Sequence, residues 1–291
     1  MKKTTIALAC MLPAALALPA FAACSGDEET EAQVLPPEEI ITTLPTVEEP
    51  AEEPAEEPAS GEESAVPLPE TQTPPTVTES KPAVAEYLKI TTDNLNVRKG
   101  AGTGYASLGK VEKNILMKYA GRTGSWYETR YMGQRAYVHA DHAKIVTLEK
   151  GSDTTERIID TGLNVLGTPY VYGAVRLHDG KGNLLNGFTE KKFDCSSLMQ
   201  FMFYRGADVL LNVTTRTQVS QGKAATGELK RGDLMFFTNA SRKNNTGIER
   251  VGHVALYLGD NYILHTASDY AKIEQISSTR WSYFICARRM I

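Results

Sequence analysis

The strongest constraint on this chain is a stretch that cannot fold. Between Ser25 and about Ala85 the sequence is dominated by Glu, Pro and Thr, and Glu48-Glu49-Pro50-Ala51 recurs at 52–55 and 56–59. Residues 24–86 carry 17 acidic side chains against Lys81 alone, a net charge of −16. A segment so acidic and so poor in large apolar residues cannot bury enough surface to offset its conformational entropy, so it reads as a disordered linker. Repulsion among the glutamates and the many prolines favour an extended form, up to ~190 Å for sixty residues in a polyproline conformation. Packed structure is therefore confined to roughly the last two hundred of the 291 residues.

Upstream of the linker, Met1-Lys2-Lys3 precedes an apolar run from Ile6 to Ala20 and then small residues up to Cys24. That order is the pattern of a secretory signal over residues 1–23, too short for a typical transmembrane helix. Ala20-Phe21-Ala22 fits a signal-peptidase site, whereas Phe21-Ala22-Ala23-Cys24 resembles a bacterial lipobox, in which Cys24 is acylated. The second reading is favoured, because a long tether serves an anchored domain, and it places the protein at the bacterial cell envelope on a lipid anchor. Cys10 and Cys24 belong to this region, so the folded part keeps Cys195 and Cys286, and no disulfide framework is indicated. Cys286, in Tyr283-Phe284-Ile285-Cys286-Ala287, reads as a small hydrophobe in a buried strand. Residues 87–291 hold 28 Lys and Arg against 18 Asp and Glu, a net of +10 that suits an anionic wall polymer. Nucleic acid is not an expected partner outside the cell.

Residues 87–148 alternate short β-type runs with turns: Leu88-Lys89-Ile90, Leu95-Asn96-Val97-Arg98, Ile115-Leu116-Met117, Trp126-Tyr127-Glu128 and Ala136-Tyr137-Val138. This spacing predicts a small β-barrel. Leu95-Asn96-Val97-Arg98 with Gly100, Gly124-Ser125-Trp126-Tyr127 and Arg135-Ala136-Tyr137-Val138-His139 together resemble a bacterial SH3-like domain. Trp126, Tyr127 and Tyr137 are expected in the barrel core, and His139 and His142 at the surface, with no metal bound.

In residues 152–291 a helix is expected from Ser152 or Asp153, with Ile158, Ile159, Leu163 and Leu166 on its apolar side and Gly167 at its end. An extended segment, Thr168-Pro169-Tyr170-Val171-Tyr172-Gly173, then leads into a polar loop at 174–192, where His178 is expected to be solvated. A helix beginning at Cys195 and strands near 234, 254, 263, 274 and 284 complete an α+β domain with an antiparallel sheet.

The chemistry centres on Cys195. Asp194-Cys195-Ser196-Ser197 opens the apolar run Leu198–Tyr204, which puts the thiol in the first turn of a helix, where free amides and the dipole favour a thiolate. His253 begins the strand-like Val254–Leu258, Gly259-Asp260-Asn261 reads as a turn, and Tyr262–His265 returns. A three-residue loop puts His253 opposite Ala267 and His265 opposite Ala255, so both imidazoles share one face as diagonal neighbours. His265 would then hold His253 in the productive tautomer.

Asp194-Cys195-Ser196-Ser197-Leu198, Gly252-His253-Val254-Ala255-Leu256-Tyr257-Leu258-Gly259 with His265 following, Thr168–Gly173 and Leu229–Phe237 are similar to the NlpC-type (NlpC/p-sixty) cell-wall cysteine peptidases of papain-like fold. The resemblance spans roughly residues 155–288. It implies Cys195 as nucleophile, His253 as base, His265 as the orienting residue, Tyr170 beside the nucleophile, and Asp194 and Ser196 as contacts to the substrate peptide. It also implies a monomer that needs no metal or organic cofactor and cleaves peptidoglycan stem peptides, at γ-D-glutamyl-meso-diaminopimelate or the equivalent lysine bond. An amidase or acyl or peptidyl transferase of the same fold, and a non-catalytic wall-binding protein, are the alternatives.

Overall fold

The computed structural model describes residues 82–291; the expected signal, the acylation of Cys24 and the acidic linker as far as residue 81 lie outside the described residues, whereas Val84, Ala85 and Glu86, expected at the end of the linker, belong to a strand that pairs with residues 147–149. The first eight strands are β1 (Val84–Ile90), β2 (Leu95–Arg98), β3 (Ser107–Val111), β4 (Leu116–Lys118), β5 (Gly121–Thr123), β6 (Trp126–Tyr131), β7 (Gln134–His139) and β8 (Ala143–Glu149). Their inward residues Leu88, Ile90, Val97, Val111, Ile115, Met117, Ala136 and Val138 close the expected small barrel. Tyr127 packs against that core. Trp126 and Tyr137 differ from expectation, since both are only half-buried. Trp126 sets its ring edge-on to His139, 5.0 Å between centroids, beside a surface cavity rather than inside the barrel.

The second unit contains α1 (Asp153–Asn164), α2 (Cys195–Ala207), α3 (Thr215–Gln218), β9 (Lys223–Ala224), β10 (Leu234–Phe237), β11 (His253–Gly259), β12 (Tyr262–Thr266), β13 (Ala271–Gln275), α4 (Ser278–Ser282) and β14 (Phe284–Arg289). Helix α1 starts as expected: Ser152 Oγ accepts from the Thr155 amide and the Glu156 carboxylate accepts from the Gly151 amide. It stops at Asn164, before Gly167. Gly167 adopts φ +85°, and its missing side chain leaves room for the Tyr131 ring. Helix α2 is buried from Cys195 through Phe203 and packs on α1, β11 and β12. The two helices cross at Gly206, where a Cβ would lie 2.6 Å from the Ile158 Cα. Phe193, Leu198, Met202, Phe203, Phe236, Val254, Leu256 and Leu264 fill the core between α2 and the sheet.

The barrel and the α+β unit share one sheet. Strand order β8-β1-β4-β13-β12-β11-β10-β14-β9 runs without a break, joined where Leu116 on β4 pairs with Ile273 on β13. Tyr87, Leu116 and Leu148 of the barrel are buried in the core of the α+β unit. Arg231, its side chain 5% exposed, clamps the junction by donating to both Glu156 oxygens at 2.6 and 2.9 Å, to the Leu258 carbonyl at 2.7 Å and to Tyr87 Oη at 2.6 Å. Lys118 and Asp160 pair across the same seam.

The loop at 174–192 corrects one expectation. His178 is fully buried, not solvated: its amide donates to Gln200 Oε1 of α2, its Nδ1 accepts from the Gly180 amide, and its ring packs on Tyr204. The loop folds over the helix that carries Cys195, and a flat aromatic ring fills the space beneath it.

Candidate active site

Asp194 is the N-cap of α2, its Oδ1 accepting from the Ser197 amide at 2.8 Å, while Ser197 Oγ accepts from the Asp194 amide at 2.9 Å. This capping box fixes where the helix begins and so where the Cys195 thiol sits. The β11–β12 hairpin supplies the imidazoles. Leu256 pairs with Leu264 and Tyr257 with Ile263, the register expected from sequence, which brings His265 level with Ala255. The turn itself differs: Asp260 and Asn261 form a two-residue left-handed corner (φ 45° and 64°), and a bulge between Tyr257 and Gly259 restores the offset.

His253 Nε2 lies 3.1 Å from His265 Nδ1, and His265 Nε2 lies 3.0 Å from Glu274 Oε1 on β13. Burial works to raise the Glu274 pKa, but the His265 hydrogen bond and the Lys272 and Arg280 charges outweigh it and bring it to about 2. The carboxylate can only accept, so His265 carries its proton on Nε2 and presents a lone pair at Nδ1. That lone pair accepts from His253 Nε2–H, which leaves His253 Nδ1 as the basic nitrogen. Cys195 and His253 line one cavity of ≈ 330 Å³, with Tyr170, Phe237, Thr238, Ser277 and Arg280 on its walls. Glu274 was invisible in the sequence, since one acidic residue in a charged strand has no distinguishing pattern.

The electrostatics reverse one expectation. Burial pushes the Cys195 thiol up, and the Asp194 charge adds to this, against hydrogen bonds from Thr215 Oγ1 (3.5 Å), Val254 and Ser196. Burial also holds His253 well below its ordinary value, with His265 and Arg280 acting in the same direction. Burial is the largest cause of both shifts, and both directions favour a neutral thiol and a neutral imidazole at rest.

A second cavity of ≈ 410 Å³ also reaches Cys195 and is lined by Tyr170, Tyr172, Arg176, Asp194, Thr215, Arg216 and Arg242 among others. Tyr170 borders both cavities, and burial raises its phenol pKa, with Cys195 and the Asp194 carboxylate nearby acting in the same direction. Asp194 and Ser196, buried at 5% and 3% exposure, are held by the protein itself. Arg176 bonds Asp194 Oδ2 at 2.8 Å and Ser196 Oγ at 3.1 Å, and Ser196 Oγ donates to Asp194 Oδ1 at 3.0 Å. Arg176 was not singled out from the sequence because it lies in an irregular loop. Among the described residues no three His, Cys, Asp or Glu side chains cluster as metal ligands would, and Cys195 and Cys286 are both free thiols.

Residues 167–290 match the model of the NlpC/P60 family, and residues 93–144 that of the bacterial SH3 domain. The chain carries an NlpC/P60 domain behind a bacterial SH3 domain. It is 30% identical over 210 residues to a gamma-D-glutamyl-L-lysine dipeptidyl-peptidase of Bacillus subtilis, a match covering 68% of this chain and 62% of that protein. It is 30% identical over 138 residues to the peptidoglycan DL-endopeptidase CwlO of Bacillus licheniformis (46% and 27% covered). It is 27% identical over 139 residues to the peptidoglycan endopeptidase RipA of Mycolicibacterium smegmatis (46% and 26%). The chain thus spans less than two thirds of each of these relatives.

The NlpC/P60 site carries a pH signature in stability. Burial is the leading cause that depresses the pKa of both His253 and His265 in the folded state. Below the ordinary value of 6.5 the unfolded chain binds protons that the folded chain refuses, so unfolding free energy rises with pH in that window. The contribution is complete above 6.5 and is lost as pH falls below it, at up to about 1.4 kcal/mol per pH unit for each histidine. Glu274 acts in a separate window, from its ordinary 4.5 down to about 2. Urea unfolding at pH 7.5 and 5.5 should show clear destabilisation at the lower pH, shrinking in His265→Gln; equal stability at the two values contradicts the buried neutral pair.

Proposed function

We propose that this protein is a cysteine peptidase of the bacterial cell envelope that hydrolyses peptidoglycan stem peptides at the γ-D-glutamyl bond to the third residue. The observation that carries the reading is that Cys195 and His253 line one cavity, with His265 and Glu274 hydrogen-bonded in series behind His253. Cys195 is the nucleophile, His253 the base, and His265 and Glu274 the residues that hold the base in its reactive tautomer. Tyr170, Asp194 and Ser196 shape the acyl side of the groove. A lipid anchor on Cys24 and the acidic linker would hold the enzyme near its wall substrate.

His253 Nδ1 takes the thiol proton as sulfur attacks the glutamyl carbonyl, forming the S–C bond and a tetrahedral oxyanion. The Cys195 amide at the start of α2, assisted by the Tyr170 hydroxyl, is the donor available to that oxygen. The C–N bond then breaks as His253 gives its proton to the leaving amine. Water, deprotonated by His253, forms the new C–O bond, the S–C bond breaks, and the thiol recovers its proton. Glu274→Gln replaces an obligate acceptor with an amide that can also donate, and should lower kcat by about 10- to 100-fold with little change in KM. An unchanged kcat would remove Glu274 from this scheme.

Two features favour cleavage of wall-linked stems over free peptides. Among the described residues, none from the SH3 domain lines either cavity. Asp194, the nearest carboxylate for a substrate ammonium, is already paired with Arg176. Hydrolysis of purified sacculi should therefore exceed that of free L-Ala-γ-D-Glu-diaminopimelate. Turnover of the free tripeptide alone overturns the endopeptidase reading.

A further inference from the structure

The leaving half of the substrate must pass His253, which protonates its nitrogen. It therefore occupies the ≈ 330 Å³ cavity that holds both Cys195 and His253, while the ≈ 410 Å³ cavity, which lacks His253, receives the acyl half. Apart from the catalytic pair, the described residues lining the leaving-side cavity carry aromatic, hydroxyl or amide side chains or are the small Gly252 and Ala267, and one residue is charged. Arg280, on α4, brings the only permanent charge among the described residues that line it.

Arg280 is held in place from behind. Its Nη2 donates to Glu274 Oε1 at 3.1 Å, and its guanidinium lies 5.9 Å from the Phe237 ring centroid. Among the described residues Glu274 is the only acceptor of its side-chain hydrogen bonds, and Lys272, 3.5 Å from Glu274 Oε2, shares the same carboxylate. The side chain keeps 24% exposure, and Nε and Nη1 remain as unengaged donors. A planar guanidinium fixed on one edge and free on the others is suited to a carboxylate. Among the described residues no acid lines this cavity to offer it one.

We propose that Arg280 is a specificity-determining residue that receives a carboxylate on the leaving half of the substrate. The inference rests on the peptidase reading above and narrows it. A third residue of diaminopimelate type, with a side-chain carboxylate, is favoured, whereas the lysine ammonium at the same place is repelled. The same chemistry is offered by the main-chain carboxylate of a stem trimmed to its third residue, so the test separates the two sources.

The test measures kcat/KM of the wild type and Arg280→Gln on muramyl stem peptides. The third residue is meso-diaminopimelate, its side-chain amide or lysine, each with and without a following D-Ala. The wild type should prefer the carboxylated substrate over its amide by about 10-fold or more, mainly through KM. Arg280→Gln should collapse that ratio towards one, losing more on the carboxylated substrate than on the amide. A preference that follows the free main-chain carboxylate assigns Arg280 to trimmed stems instead of the diaminopimelate side chain. Equal wild-type rates on acid and amide, trimmed or not, overturn the proposal, as does an Arg280→Gln loss by the same factor on every substrate, which a purely structural role through Glu274 would give. The wild-type comparison decides the point even if Arg280→Gln does not fold. Absence of turnover on every substrate contradicts the peptidase reading itself, and with it this inference.

Discussion

Cys195→Ala should abolish hydrolysis of peptidoglycan, lowering kcat by at least ~10⁴-fold, while leaving the fold intact. The substitution removes the sulfur, and with it one weak hydrogen bond to Thr215, from a residue whose backbone remains capped by Asp194. Ala is also a good helix former at this position. His253→Ala should cost a similar factor, and the double variant little more than either alone, because the two act as one unit. The check is muropeptide release from sacculi by purified variants of matched thermal stability. Residual activity within about 10-fold of the parent would reject Cys195 as the nucleophile and revive a wall-binding role.

Arg231→Ala should produce the largest loss of stability. The side chain is 5% exposed, forms a bidentate pair with Glu156 and also reaches the Tyr87 hydroxyl in the SH3 domain. Its removal leaves Glu156 short of its counter-charge and a buried phenol without its partner. Breaking such a pair costs about 3–5 kcal/mol when fully buried, and the 22% exposure of Glu156 places this one near ~3 kcal/mol. At about 2–4 °C per kcal/mol for a unit of this size, Tm should fall by roughly 6–12 °C. Arg231→Lys should recover only part of the loss, since an ammonium cannot reproduce the fork on Glu156. A loss below about 1 kcal/mol would show that the shared sheet, not the Arg231 clamp, holds the two domains together.

What was legible in the sequence was local. The Cys195 helix start follows from Asp194 and Ser197, and the meeting of His253 and His265 follows from strand periodicity and a turn at Gly259-Asp260-Asn261. That register survived a wrong turn type because the bulge at Leu258 adds back the residue that the two-residue corner omits. What was not legible depends on distant segments. The union of barrel and α+β unit rests on Leu116 meeting Ile273, a long-range pairing that no local pattern encodes. His178 read as solvated because its neighbours are polar, yet the loop folds back over α2 and takes it out of water. The thiol read as activated from its helix position, but burial decides the direction of its pKa. Glu274, Arg280 and Arg176 came into view only with the partners they hold.

The central claim is that Cys195 attacks the γ-D-glutamyl carbonyl of a stem peptide and passes the acyl group to water. Mass spectrometry of the products from a defined muropeptide, digested in isotopically heavy water, tests it most directly. A new free amine on the third residue and one heavy oxygen in the released γ-D-glutamyl carboxylate are expected, both absent with Cys195→Ala. Cleavage at a different bond, or transfer of the acyl group to an amine without uptake of heavy oxygen, would contradict it.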